Sequence, residues 1–306
     1  MSVVEPRPRA TFLRRSAHFV PGASEKMLLK SIDTAADALV LDLEDAVVPD
    51  LKSTARSTVS RWLRDVDFQG KERMVRMNPL ATPWGVDDLE ETMEHPPDTY
   101  MVPKVSSLDE LNAIDARLRD LEQRYGHPLG QVGLVLVSTE TPLGALNLPT
   151  FTRCRRVVAL SWGAEDLSAA LGAPRNRRPD GSYLSVYEYC RTITLLCAAA
   201  GNVQPLDTVF TDFKNPDGLA KECQESAWLG YTGKITIHPA QIDIVNTAFT
   251  PSDEQVAEAR RLLAAFDDAQ AQGKMAFSFD GQMVDVPHLT RAQKIVERAN
   301  MIKAKL

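Results

Sequence analysis

The sequence predicts an α/β protein, a (β/α)8 barrel of the TIM type followed by a C-terminal helical arm. Three observations carry this expectation. Eight short β-type apolar runs recur along the chain, helical patterns separate them, and most runs are continuously apolar rather than alternating. A continuous run marks a strand buried on both faces, hence a parallel sheet whose strands need crossover helices. An open doubly wound sheet is the structural alternative, but no Gly-x-Gly-x-x-Gly follows the first run.

In chain order the runs are Ala17 to Val20, Ala38 to Leu43, Arg73 to Met77, Thr99 to Lys104, a fifth ending at Glu140, a sixth before Asp166, Asp207 to Phe210, and Lys234 to His238. The clearest helix between them opens with a capping box, Ser107-Leu108-Asp109-Glu110. It continues with Leu111, Ile114, Leu118 and Leu121 at helical spacing. Residues 12–250 are assigned to the barrel, since about 250 residues is usual for this fold. Residues 251–306 exceed what a barrel needs. They open with a second capping box, Ser252 to Gln255, and continue through a hairpin-like stretch around Asp280-Gly281 to a last helix from about Thr290. Such a tail caps the barrel or packs on another subunit.

Composition narrows the function classes. A net charge of -6 argues against a general nucleic-acid binder. No apolar run reaches membrane-spanning length, and residues 1–10 lack the apolar core of a signal peptide, so a cytoplasmic location is expected. Cys154, Cys190, Cys197 and Cys223 show no Cys-x-x-Cys spacing and are expected to be reduced and buried.

In such a barrel the active site lies at the carboxyl ends of the strands. The runs deliver Phe19 there, then Asp42, Glu44 and Asp45, then Arg76 and Asn78, Lys104, Glu140, Asp166 and His238. So many charges at one rim are costly unless they pair or bind an ion. Glu140 and Asp166 are the metal-ligand candidates, with carboxylate oxygens that suit Mg2+ or Mn2+. Arg76 is placed to hold a carbonyl oxygen as it becomes an enolate, or else to form a salt bridge with Asp42 or Glu44. Lys26 and Lys30 either face solvent or meet a phosphate-bearing ligand. His238 before Pro239 is as often structural as functional. Asp285, taken alone, reads as a turn or cap residue.

These runs also resemble a known family. Phe19-Val20-Pro21-Gly22, Leu41-Asp42-Leu43-Glu44-Asp45-Ala46-Val47, Val75-Arg76-Met77-Asn78 and Pro103-Lys104-Val105 are similar to motifs of the citrate lyase beta-subunit-like family, within the HpcH/HpaI aldolase superfamily. So are Glu140-Thr141-Pro142-Leu143-Gly144, Gly163-Ala164-Glu165-Asp166-Leu167 and Gly233-Lys234-Ile235-Thr236-Ile237-His238-Pro239. The family includes malyl-CoA, β-methylmalyl-CoA and citramalyl-CoA lyases. The resemblance implies a (β/α)8 barrel that binds Mg2+ through Glu140 and Asp166. It implies an acyl-CoA thioester as substrate and a 2-oxo acid as product. It matches Arg76 to the arginine that stabilises the thioester enolate, and Phe19, Lys26 and Lys30 to the CoA site. Glu165-Asp166 and Ile237-His238 match substrate-contacting backbone. Asp285 matches an acid carried on a C-terminal arm that covers a neighbouring subunit's site, so a homo-oligomer, a trimer or hexamer, is expected. A malyl-CoA thioesterase, and a citrate lyase beta-like subunit acting on a citryl thioester, are the alternatives. Two departures stand out. Ser138 replaces an aliphatic residue, and residues 175–181 form a shorter insert than in some relatives.

Overall fold

The computed structural model of the chain describes residues 12–305. These fall into two compact units divided between Asn246 and Thr247. In chain order the first holds β1 (Ser16–Pro21), α1 (Glu25–Ile32), β2 (Ala38–Asp42), α2 (Lys52–Asp65), β3 (Glu72–Arg76), α3 (Gly85–Thr92), β4 (Thr99–Val102), α4 (Leu108–Tyr125), β5 (Gly133–Val137), α5 (Pro142–Phe151), β6 (Val157–Ser161), α6 (Glu165–Ala170), α7 (Ser185–Ala200), β7 (Gln204–Asp207), α8 (Pro216–Leu229), β8 (Gly233–Thr236) and most of α9 (Ile242–Ala248). Strands β1 to β8 pair in sequence order, all parallel, and β8 returns to β1 to close the barrel. This is the predicted (β/α)8 barrel.

The continuous apolar runs have a direct explanation in the two buried faces of each strand. Ala17, Val40, Met74, Met101, Val135, Ala159, Leu206 and Ile235 fill the barrel interior. Their neighbours Leu39, Leu41, Val75, Leu134, Leu136 and Leu160 pack outward against Leu28, Trp62, Leu118, Leu148 and Phe151 of the helices. Each fully buried Leu of that shell contributes about 1.5–3 kcal/mol. Helix α4 buries the predicted stripe Leu111, Ile114, Leu118 and Leu121. Its Ser107 hydroxyl accepts the Glu110 N–H, but the Glu110 carboxylate accepts from Ser106 N–H, one residue further out than a reciprocal capping box. Gly126 ends the helix at φ 74°, a left-handed C-terminal turn.

Four boundaries differ from expectation. β5 ends at Val137 and β6 at Ser161, so Glu140 lies in a loop and Asp166 in the first turn of α6. β7 is Gln204–Asp207, earlier than the run Asp207 to Phe210 suggests. It includes Pro205, a residue that argues against a central strand but here still accepts the Thr232 N–H with its carbonyl. The last helix starts at Val286 rather than Thr290.

The second unit contains α10 (Asp253–Ala271), an antiparallel hairpin of β9 (Phe277–Phe279) and β10 (Gln282–Val284), and α11 (Val286–Lys305). Ser252 and Gln255 form the full capping box at the start of α10. Asp280 at φ 47° and Gly281 at φ 82° make the left-handed pair that a two-residue hairpin loop needs. Phe266 meets Phe277 edge to face at 5.1 Å. Among the described residues no helix is long and apolar enough to cross a membrane. All four cysteines are free and buried.

Candidate active site

A cavity of about 760 Å³ opens at the carboxyl ends of the strands. It brings together Phe19, Lys26, Lys30, Arg76, Glu140, Glu165, Asp166, Ile237 and His238, nine of the ten residues that the family resemblance assigns to the site. The tenth, Asp285, belongs to the second unit. It precedes α11, and its carboxylate lies 2.7 Å from Nδ1 of His288.

The loop carrying Glu140 is pinned from both sides. Ser138 Oγ donates to the Ser161 carbonyl at 2.7 Å, and Thr139 Oγ1 accepts the Gly163 N–H at 3.2 Å. Both hydroxyls therefore stitch this loop to the end of β6, which accounts for polar residues at 138 and 139 after an apolar strand. Thr141 then caps α5 by accepting the Gly144 N–H, with Pro142 at the first helical position. Gly163 is required by contact: a Cβ there would stand 2.5 Å from Cγ of Glu140. Glu140 itself is only 6% exposed. Burial, reinforced by the charges of Glu44 and Asp166, pushes its carboxyl up to about 8, against the opposing hydrogen bond from Lys104 N–H and the charge of Arg76.

Arg76, at the end of β3, realises both roles considered for it. Its Nε and one terminal nitrogen donate to the two oxygens of Asp42 at 2.7 and 2.5 Å. The other terminal nitrogen lies 2.9 Å from Glu44. The guanidinium also stacks over the Phe19 ring at 4.4 Å. Burial opposes its charge, but the Asp42 hydrogen bonds and the charges of Asp42, Glu44 and Glu140 hold it firmly cationic. Asp42 is further engaged by the N–H groups of Glu44 and Ala46. Lys104 adopts φ 55°, and its N–H donates to Glu140 Oε2 at 2.7 Å. Its ammonium reaches Glu44 at 2.5 Å, Asp45 at 3.0 Å and Asp166 at 3.3 Å.

The remaining candidates occupy the cavity wall. Glu165 accepts from the Asn176 amide at 2.8 Å. The N–H groups of Ile237 and His238 both donate to Gln241 Oε1, at 2.9 and 3.2 Å. His238 Nδ1 accepts the Ala240 N–H, and its ring stacks on Phe213 at 5.0 Å, so the imidazole serves as a cap. Lys26 and Lys30 stand one turn apart on α1, exposed, and have no ion-pair partner among the described residues. Sequence reasoning missed His18. It is buried, with Nδ1 3.1 Å from Thr236 Oγ1, and it lines the cavity. Its signal was a polar residue inside an otherwise apolar strand.

The donor chemistry fits a hard divalent ion. Glu140 and Asp166 offer oxygen only, and their surroundings hold more carboxylates than cations. Among the described residues no group of three or more His, Cys, Asp or Glu is arranged to hold an ion, and Glu140 and Asp166 stand as a candidate pair. That pattern leaves positions for water and substrate, as Mg2+ sites commonly do.

The chain is similar to several known proteins. The family model for HpcH/HpaI aldolase/citrate lyase matches residues 15–239. A (3S)-malyl-CoA thioesterase of Cereibacter sphaeroides is 35% identical over 290 residues, covering 95% of this chain and 96% of that protein. The mitochondrial citramalyl-CoA lyase of Rattus norvegicus is 34% identical, covering 95% of this chain and 88% of that one. The crystal structure of CitE from Mycobacterium tuberculosis, in complex with magnesium, acetoacetate and coenzyme A, superposes with a TM-score of 0.76 at 33% identity. It covers 95% of this chain and 99% of that one. The chain belongs to the HpcH/HpaI aldolase/citrate lyase family of enzymes.

Proposed function

We propose that the protein is a Mg2+-dependent carbon–carbon lyase acting on a 3-hydroxy-3-carboxy-acyl-CoA thioester such as malyl-CoA, β-methylmalyl-CoA or citramalyl-CoA. The observation that carries this reading is the single cavity. It is lined both by Glu140, Asp166 and Arg76 and by Lys26 and Lys30, which have no ion-pair partner among the described residues. The first set suits a hydroxy-acid head beside a carbonyl, and the second suits phosphates. The related CitE, bound to magnesium, acetoacetate and coenzyme A, supports the same pairing of ligands.

Glu140 and Asp166 would hold Mg2+, or Mn2+, which when bound supplies Lewis-acid polarisation of the substrate's hydroxyl and carboxylate oxygens. Arg76 has five N–H donors. Asp42 accepts from two of them, and Glu44 faces the other terminal nitrogen as an ion pair, leaving three N–H groups from which the thioester oxygen can be served. A base takes the hydroxyl proton, the freed electron pair on that oxygen forms the carbonyl of the departing 2-oxo acid, and the pair of the breaking carbon–carbon bond passes into the thioester as an enolate. The growing charge on oxygen meets the Arg76 guanidinium, which Asp42 already holds rigid. Phe19 fixes the other face of that guanidinium. Asp285, from the arm of a neighbouring subunit in a homotrimer or hexamer, protonates the enolate carbon to release acetyl-CoA or propionyl-CoA. In the condensing direction the same carboxylate takes the α-proton.

The test is a product assay with malyl-, β-methylmalyl- and citramalyl-CoA and Mg2+. A lyase releases glyoxylate or pyruvate in step with the short acyl-CoA. Release of free CoA and the intact hydroxy acid, with no 2-oxo acid, would instead make the protein a thioesterase. Asp285→Ala is expected to keep Mg2+ and CoA binding but lose most turnover, about 100-fold or more for a missing proton donor. A variant that loses only its oligomeric state would mark Asp285 as structural.

A further inference from the structure

Lys104 holds two parts of the rim together by different groups. Its backbone N–H is committed to Glu140, and its ammonium to Glu44, Asp45 and Asp166. The left-handed backbone makes this possible, because φ 55° turns the N–H and the side chain toward the same cluster. A lysine rarely adopts that conformation unless its surroundings demand it. The charge count supplies the demand. Asp42, Glu44, Asp45, Glu140 and Asp166 contribute five carboxylates, against Arg76, Lys104 and the buried Lys52, whose ammonium is held by the Leu43 and Glu44 carbonyls and Asn78. Arg76 is engaged by Asp42 and Glu44, so Lys104 is the cation that faces Asp166.

We infer that Lys104 is a tethered counter-cation of the metal site, a positioning residue whose ammonium shares Asp166 with the divalent ion and so sets how tightly that ion is held. The inference rests on reading Glu140 and Asp166 as the ion's ligands. Two cations competing for one carboxylate repel each other, and the lysine cannot leave. The ion is therefore held more loosely than the carboxylates alone would hold it, which keeps it exchangeable. Bringing an anionic substrate to the rim offsets that repulsion, so ion and substrate bind each other's complex more tightly than they bind the protein alone.

Lys104→Gly and Lys104→Asn test this, since both residues accept a left-handed backbone and keep the N–H to Glu140. The measurement is Mn2+ affinity of the full-length protein by electron paramagnetic resonance, without thioester. Removing one positive charge beside a divalent ion is expected to tighten binding about tenfold, even with the screening of a partly exposed site. In the same variants the melting temperature without divalent ions should fall and Mg2+ should restore it. A merely structural lysine would give weaker Mn2+ binding on removal, never tighter. Unchanged or weaker binding in both variants, with wild-type binding that depends on Glu140, overturns the role of Lys104 and leaves the metal assignment standing. A wild-type protein with no Glu140-dependent Mn2+ binding overturns the metal assignment and the inference with it.

Discussion

Two charged clusters in the same barrel behave in opposite ways. One lies between β7, β8 and helices α7 and α8. Lys234 there bridges Asp207 at 3.0 Å and Glu222 at 2.8 Å, Arg177 joins Glu222 at 2.7 Å, and Arg191 lies 3.6 Å from Glu225. Ser226 and Trp162 donate further hydrogen bonds to Asp207. Three cations meet three carboxylates. The other cluster is the rim, where five carboxylates meet three cations, Arg76, Lys104 and Lys52. Both are desolvated, yet Asp207 is held below the ordinary carboxylate range while Glu140 is pushed up to about 8. At Asp207 burial is outweighed by Lys234 and Arg191. At Glu140 burial is reinforced by Glu44 and Asp166. Balance suits the first cluster to holding the fold, and imbalance agrees with the proposal that the second receives a cation.

Amide and apolar substitutions should separate the two clusters by sign. Lys234→Met leaves Asp207 and Glu222 buried without their shared cation, and is expected to cost about 3–5 kcal/mol of stability in urea unfolding. A smaller loss, within the scatter of surface substitutions, would break the contrast. Glu140→Gln should do the reverse without divalent ions. Its folded-state carboxyl is raised from 4.5, so unfolding releases a strained proton and the group opposes folding at pH 7. The amide removes that penalty, and a gain of about 1 kcal/mol or more is expected in the same experiment.

The smallest effect is a pH dependence. Burial, helped by the charge of nearby His238, pulls His18 down from 6.5 to about 4 despite its bond to Thr236. A depressed histidine stabilises the fold above its unfolded value and loses that contribution as pH falls from about 6.5 toward 4, because only the unfolded chain takes up the proton. His18→Leu should flatten the melting curve's dependence on pH across that window and leave it unchanged above pH 7. An identical pH slope in both proteins would show that His18 does not titrate as its burial dictates.

Much of this is legible in the sequence. Buried strands write themselves as continuous apolar runs, so eight runs gave a closed barrel and its rim, and nine candidate residues share one cavity. What escaped was set by backbone geometry and tertiary contact. Pro205 hid β7, because its missing N–H argues against a strand and its useful carbonyl has no sequence mark. The apolar runs point to the two ligand candidates at strand ends, whereas Thr139-to-Gly163 bonding and a helix turn carry them beyond. Arg76 offered pairing or catalysis as alternatives, and only the count of its donors shows that both fit at once. Lys104 was visible at the rim, but nothing in its sequence announced a left-handed backbone that aims it at three acids.

The most direct test of the contrast is the number of Mn2+ ions bound per chain at equilibrium. One ion is expected for the wild type, none at the same concentration for Glu140→Gln and for Asp166→Asn, and one for Glu222→Gln, whose acid belongs to the balanced cluster. Retention of the ion by both rim variants, or its loss only with Glu222, would contradict the assignment of the rim as the metal site.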